Sequence, residues 1–170
     1  MSTIKTKSLS DMLAPILRSI EATELPSLLF LLERKAAEMY FKWSDSTDDS
    51  IEKACLVRCG DIEREISEFF AGYSESTILN SKMILEKHPL LFKDFDACFE
   101  NLSLEEQYAQ LAEAEIGGEN ALNKIADLMD GPNSDLCRFF ARQERSNSEI
   151  LKLLHERIAK QRALGDSLAM

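Results

Sequence analysis

Four long segments of this chain carry apolar residues at three- and four-residue intervals, and each of these stripes is interrupted by one glutamate at or near mid-length. Steps of three and four stay on one side of a helix with 3.6 residues per turn. The first stripe reads Leu29, Glu33, Ala36, Tyr40 and Trp43, and the second Leu56, Cys59, Glu63, Ile66 and Phe70. The third reads Leu104, Tyr108, Leu111, Glu115, Gly118, Leu122, Ile125 and Met129, and the fourth Phe140, Glu144, Asn147, Leu151 and Leu154. Apolar faces of this kind turn inward. The pattern therefore asks for four helices around a shared interior that must also accommodate four carboxyl groups.

Composition agrees with helix throughout. Of 170 residues, 45% are hydrophobic and 29% charged, with only 6 Gly and 4 Pro. Long stretches are rich in Leu, Ala, Glu, Lys and Arg, and strict apolar/polar alternation is scarce. The length suits one domain, 1–170, with a sizeable core. A short amphipathic helix is expected over about 8–20, with Pro15 kinking it or confining it to about one turn on either side. The first long helix is expected over about 26–43, opened by Thr23 or Glu24 and the early Pro26. A polar loop at 44–49 leads to a second helix over about 50–71. The long connection that follows should hold one helix near 76–86 and break at Pro89. A third helix spans about 104–129 and stops at "DGPNS", where Asn133 or Ser134 would cap the fourth. That fourth helix is expected over about 135–162, with 163–170 fraying. Two helical hairpins joined by a long helical crossover predict an all-α antiparallel four-helix bundle with a short N-terminal helix, the connectivity of ferritin-like bundles.

The glutamates are regularly placed. Glu33 to Glu63 is 30 residues and Glu115 to Glu144 is 29, so each hairpin sets its two carboxyl groups at similar heights. The two halves read as a diverged internal repeat. A buried carboxylate without a partner costs several kcal/mol or must be protonated, and neighbouring like charges make matters worse. Two bound dications would balance four negative charges. Arg64, Arg142 and Arg145, which lie beside these glutamates, offer a second solution, and shared protons a third.

On "LLERKAAEMY", "CGDIEREISEFF", "LAEAEIGGENAL" and "FARQERSNSEIL", the chain resembles the ferritin-like superfamily and, within it, the rubrerythrin-type branch. In that family the second and fourth helices carry Glu-x-x-His, and the first and third each add a glutamate. Together these groups bind two metal ions, usually iron. The resemblance implies Glu33, Glu63, Glu115 and Glu144 as ligands, but places Ile66 and Asn147 where the histidines stand. Ile66 cannot ligate a metal, and Asn147 offers one neutral oxygen. The implied cofactor is thus a pair of divalent ions, iron or manganese, in an oxygen-only centre that suits Mn²⁺, Mg²⁺ or Ca²⁺ better than a nitrogen-containing site would. A homodimer handling dioxygen, peroxide or metal ions is the implied function. The alternative is a metal-free bundle that kept the fold, lost the chemistry and works as a structural or regulatory partner.

The remaining features bound the choice. A formal net charge of -10 disfavours nucleic acid and anionic lipid as partners. The strongest apolar patch, "LPSLLFLL", is too short to cross a bilayer, and "MSTIKTKSLSDML" lacks the pattern of a secretory signal. Cys55, Cys59, Cys98 and Cys137 show no CxxC spacing, and the expectation is free thiols in the cytoplasm. His155 lies eleven residues beyond Glu144, about 16 Å along a helix, and His88 falls in the crossover. Glu119, Tyr40 and Tyr108 read as a solvent-facing carboxylate and two core tyrosines within reach of the glutamates. Gly117-Gly118 marks a close helix contact, a kink or a widened interior.

Overall fold

The computed structural model describes residues 8–168. They form seven α-helices: α1 (Leu9–Ser19), α2 (Leu25–Ser46), α3 (Ser50–Tyr73), α4 (Glu75–Lys87), α5 (Leu91–Ala97), α6 (Leu104–Asp127) and α7 (Pro132–Leu168). A 3₁₀ turn, Ala22–Glu24, precedes α2, and no strand occurs among the described residues. No described helix is long and apolar enough to cross a membrane.

The helices start where polar side chains can take the orphan amides of a first turn. Ser8 caps α1 and Asp49 caps α3, accepting from the amides of Ile51 and Glu52. Ser103 opens α6 with a reciprocal capping box to Glu106. Several expectations need correction. α1 is not confined to about one turn on either side of Pro15 but continues through it as one helix of 11 residues. Pro15 and Asp11 are both exposed, so the carbonyl that loses its partner faces water, while Met12 and Ile16 bury the opposite side. The polar loop at 44–49 shrinks to 47–49, because α2 continues to Ser46. Neither Asn133 nor Ser134 caps α7, which begins at Pro132, where a missing N–H costs nothing. Gly131 before it takes φ 63°, a conformation in which a side chain would be strained, and the Ser134 hydroxyl turns back to the Ala126 carbonyl at 2.8 Å. Finally, α7 extends through the expected fraying segment to Leu168, and residues 169–170 lie outside the described range, as do residues 1–7. The crossover holds α4 as expected and breaks at Pro89, but then adds α5.

The four longest helices pack as pairs, α2 along α3 and α6 along α7, and the pairs meet through α3 with α7 and α2 with α6. Buried hydroxyls tie each pair: Ser148 donates to the Ala112 carbonyl at 2.7 Å, and Ser67 to the Phe30 carbonyl at 3.3 Å. A two-pronged ion pair, Arg157 to Asp49 at 2.8 and 2.6 Å, fastens α7 to the start of α3.

Two apolar clusters form the core. One gathers Tyr40, Leu56, Cys59, Tyr108, Leu111 and Leu151 with residues of α1, α4 and α5. The other gathers Leu29, Ile66, Phe70, Leu122, Ile125 and Phe140. Along α3, α6 and α7 the stripe glutamate falls between the contributions to the two clusters, while α2 gives Leu29 to one cluster and residues on both sides of Glu33 to the other. A polar layer thus divides two oily ones.

Candidate metal centre

The polar layer consists of Glu33 from α2, Glu63 from α3, Glu115 from α6, and Glu144 with Asn147 from α7, and all five are buried. Carboxyl oxygens of Glu33, Glu63 and Glu144 lie within 4.8 Å of one another, a spacing that one cation could bridge. Glu115 stands at the edge of this group, where the Tyr40 hydroxyl donates to its Oε1. Tyr40 sits two turns beyond Glu33 on the same face, so its contact with the cluster was within reach of the sequence pattern. The second tyrosine, Tyr108, donates instead to Glu52 and takes no part.

Among the described residues no lysine or arginine pairs with the carboxyl groups of this layer. Arg64 pairs with Asp61 at 2.8 Å and Arg145 with Glu119 at 2.8 Å, while Arg142 is exposed. Glu119 is therefore engaged outside the cluster. Burial pushes the Glu33 carboxyl up to about 7, against a hydrogen bond from Glu63 that holds it down. Glu63 and Glu144 are driven well above the carboxylate range, first by burial and then by the neighbouring charge of Glu115. Glu115 is raised by burial too, and hydrogen bonds from Glu144 and Tyr40 oppose the rise. Without a cation, burial and the neighbouring carboxyl groups favour the protonated forms of Glu63 and Glu144. Even so, Glu63 Oε2, Glu115 Oε2 and Glu144 Oε1 are buried and have no hydrogen-bond donor.

Asn147 is turned otherwise than a ligand would be. Its Nδ2 donates to Glu63 Oε1 at 2.9 Å, and its Oδ1 accepts from Arg58 Nη1 at 3.0 Å. The oxygen expected to help hold a metal is thus occupied by a guanidinium. Arg58 also reaches Gln143 Oε1 at 3.4 Å. It lies on the exposed side of α3, off the apolar stripe, so nothing in the sequence pointed to it. Ile66, at the other histidine position, is fully buried in the apolar layer with Leu29, Phe70 and Leu122.

Gly118 explains one curiosity of the sequence. A β-carbon there would lie 2.6 Å from Glu144 Oε2, so the glycine makes room for the carboxyl group. Gly117 has nothing within 4 Å and plays no such part. The histidines stay away: His88 Nε2 meets the Ser19 hydroxyl at 3.3 Å, and His155 meets Glu105 at 3.4 Å. Cys55, Cys59 and Cys137 form no disulfide, and among the described residues no other metal-ligating group joins Cys55 and Cys59.

Compared with known proteins, the chain matches no family model, no curated protein and no solved structure.

Proposed function

We propose that this protein is a divalent-cation-binding member of the ferritin-like, rubrerythrin-type bundles, with Glu33, Glu63 and Glu144 holding a first ion. The order of the layers supports the bundle. Going up the chain, α7 passes from the Phe70 cluster to the Tyr40 cluster, and α3 and α6 pass the opposite way. That order supports α7 running opposite to α3 and α6, the two helices it packs against, with the long α4–α5 connection returning the chain to the starting end.

One observation carries the metal reading: three buried carboxyl groups from three helices meet within 4.8 Å, and oxygens among them find no donor in the protein. Hard oxygen donors of this kind suit Mn²⁺, Mg²⁺ or Ca²⁺, and iron as well when water completes its shell. Glu115 is the residue available to a second ion. A redox-active ion bound here would supply electron exchange with dioxygen or peroxide. The chain's own part is to fix three carboxyl groups on separate helices, to hold Glu115 through Tyr40, and to exclude bulk water with an apolar layer on either side.

The competing reading is a metal-free bundle acting through its surface, as a homodimer or regulatory partner. Asn147 favours it, because its amide already serves Glu63 and its oxygen is taken by Arg58.

Elemental analysis after manganese or iron loading decides between them. At least one ion per chain is expected, lost in the Glu63→Gln, Glu144→Gln double variant. No ion in either protein, with the variant equally or more stable, would establish the metal-free reading.

A further inference from the structure

A cavity of about 260 Å³ lies beneath α1, between α2 and α6. Leu13 and Leu17 of α1, Leu28 and Leu32 of α2, and Leu111 and Ala114 of α6 form its walls. Its inner end is polar: Glu33, Glu115 and Glu144 all line it. Leu17, another of its lining residues, is half exposed. An apolar passage that ends on carboxyl groups is an unusual thing to leave in a packed interior, since voids cost stability.

We propose that this cavity binds an unbranched apolar molecule whose neutral polar end, such as a hydroxyl, hydrogen-bonds at Glu115. Two observations fix that chemistry. The walls are mostly leucine and alanine, with Ser8, Ser10, Gln110 and Glu113 among them, and a lining so largely apolar accepts a hydrocarbon chain. At the inner end, Glu115 lines the cavity with its Oε1 held by Tyr40, and its Oε2 is buried with no donor among the described residues, which leaves it an oxygen able to accept from a hydroxyl. An anionic end is disfavoured by the same burial, since no cation among the described residues meets it there. For size, an apolar cavity of about 150 Å³ accommodates a six-carbon ring, so this one holds roughly ten carbons.

As an apolar-ligand site the cavity stands without a metal. As the substrate site of the carboxylate centre it rests on the reading given above.

Calorimetric titration with 1-decanol and with decanoate at pH 8 tests the proposal. Saturable binding of one decanol per chain, at least tenfold tighter than decanoate, is expected. Ala36→Phe and Ala114→Phe fill the cavity from opposite walls and should each abolish decanol binding while metal content stays as in the parent protein. No saturable binding to the parent protein overturns the proposal whatever the variants do, and equal binding of decanoate overturns the assignment of the polar end. Metal content, measured on the same samples, separates the two readings: decanol binding without metal retires the metal centre alone.

Discussion

A β-carbon on residue 118 would crowd the Glu144 carboxyl group to 2.6 Å, and this contact gives a clean test of what the glycine does. Alanine favours a helix over glycine by about 1 kcal/mol, which offsets part of the crowding. Gly118→Ala should therefore leave thermal stability within about 1 kcal/mol of the parent while displacing Glu144 and lowering manganese loading at least tenfold. At Gly117, exposed and without neighbours, alanine should add up to about 1 kcal/mol and leave loading unchanged. Paired urea titrations and metal analyses check both. Equal loading in the two variants would mean that Glu144 is not a ligand. The residues themselves divide by how visible they were in sequence. Glu33, Glu63, Glu115 and Glu144 were legible because a charge inside an apolar stripe breaks a pattern. The orientation of Asn147 was not, since which end of an amide faces inward depends on Arg58, a residue from another helix that belongs to no stripe.

At the scale of elements, α1 keeps a proline in its interior at the expense of one backbone hydrogen bond. Alanine at that position restores the bond and the helical preference. Pro15→Ala should accordingly raise stability, by up to about 3 kcal/mol, because the site is exposed and the new N–H meets the Asp11 carbonyl without rearrangement. A fall in the midpoint of thermal unfolding would mean that the proline is fitted to a bend in α1. The long helices were readable because their periodicity repeats over many turns. Their ends were not, since α2 runs through polar Ser44 and Asp45 until the Asp49 cap starts α3. α5 was missed for a related reason. Seven residues with only Leu91 and Phe95 buried contain too few turns to display a period, and tertiary contact decides their state.

For the whole molecule, the buried carboxyl groups set the response to pH. Glu33 titrates at about 7 in the folded protein against an ordinary 4.5, and the other three are raised as well. The folded state thus binds more protons than the unfolded one in this range. Metal-free stability is at its fullest below about pH 4.5 as far as these groups are concerned, and falls as pH rises through 7, with roughly 3 kcal/mol attached to Glu33 alone. Metal binding needs the deprotonated groups, so its affinity runs the other way. Urea titrations with chelator should give a less stable protein at pH 8 than at pH 5.5. The Glu63→Gln, Glu144→Gln variant should flatten that slope and so separate it from the general self-repulsion of a chain with net charge -10. Manganese at a hundredfold excess over its dissociation constant should restore about 2.7 kcal/mol at pH 8 and little at pH 5.5. A metal-free protein more stable at pH 8 would mean that the carboxyl groups find compensation elsewhere.

The pairing of helices has a kinetic side. α2 with α3 supplies two of the glutamates, and α6 with α7 supplies the other two. Neither pair alone encloses a carboxyl group on all sides, so a chain whose pairs have formed but not met keeps its charges hydrated. The four leave water together, at the moment the pairs come into register. Joining the two pairs is therefore also a proton-uptake step, and the acidity of the surrounding solution bears on how readily they dock.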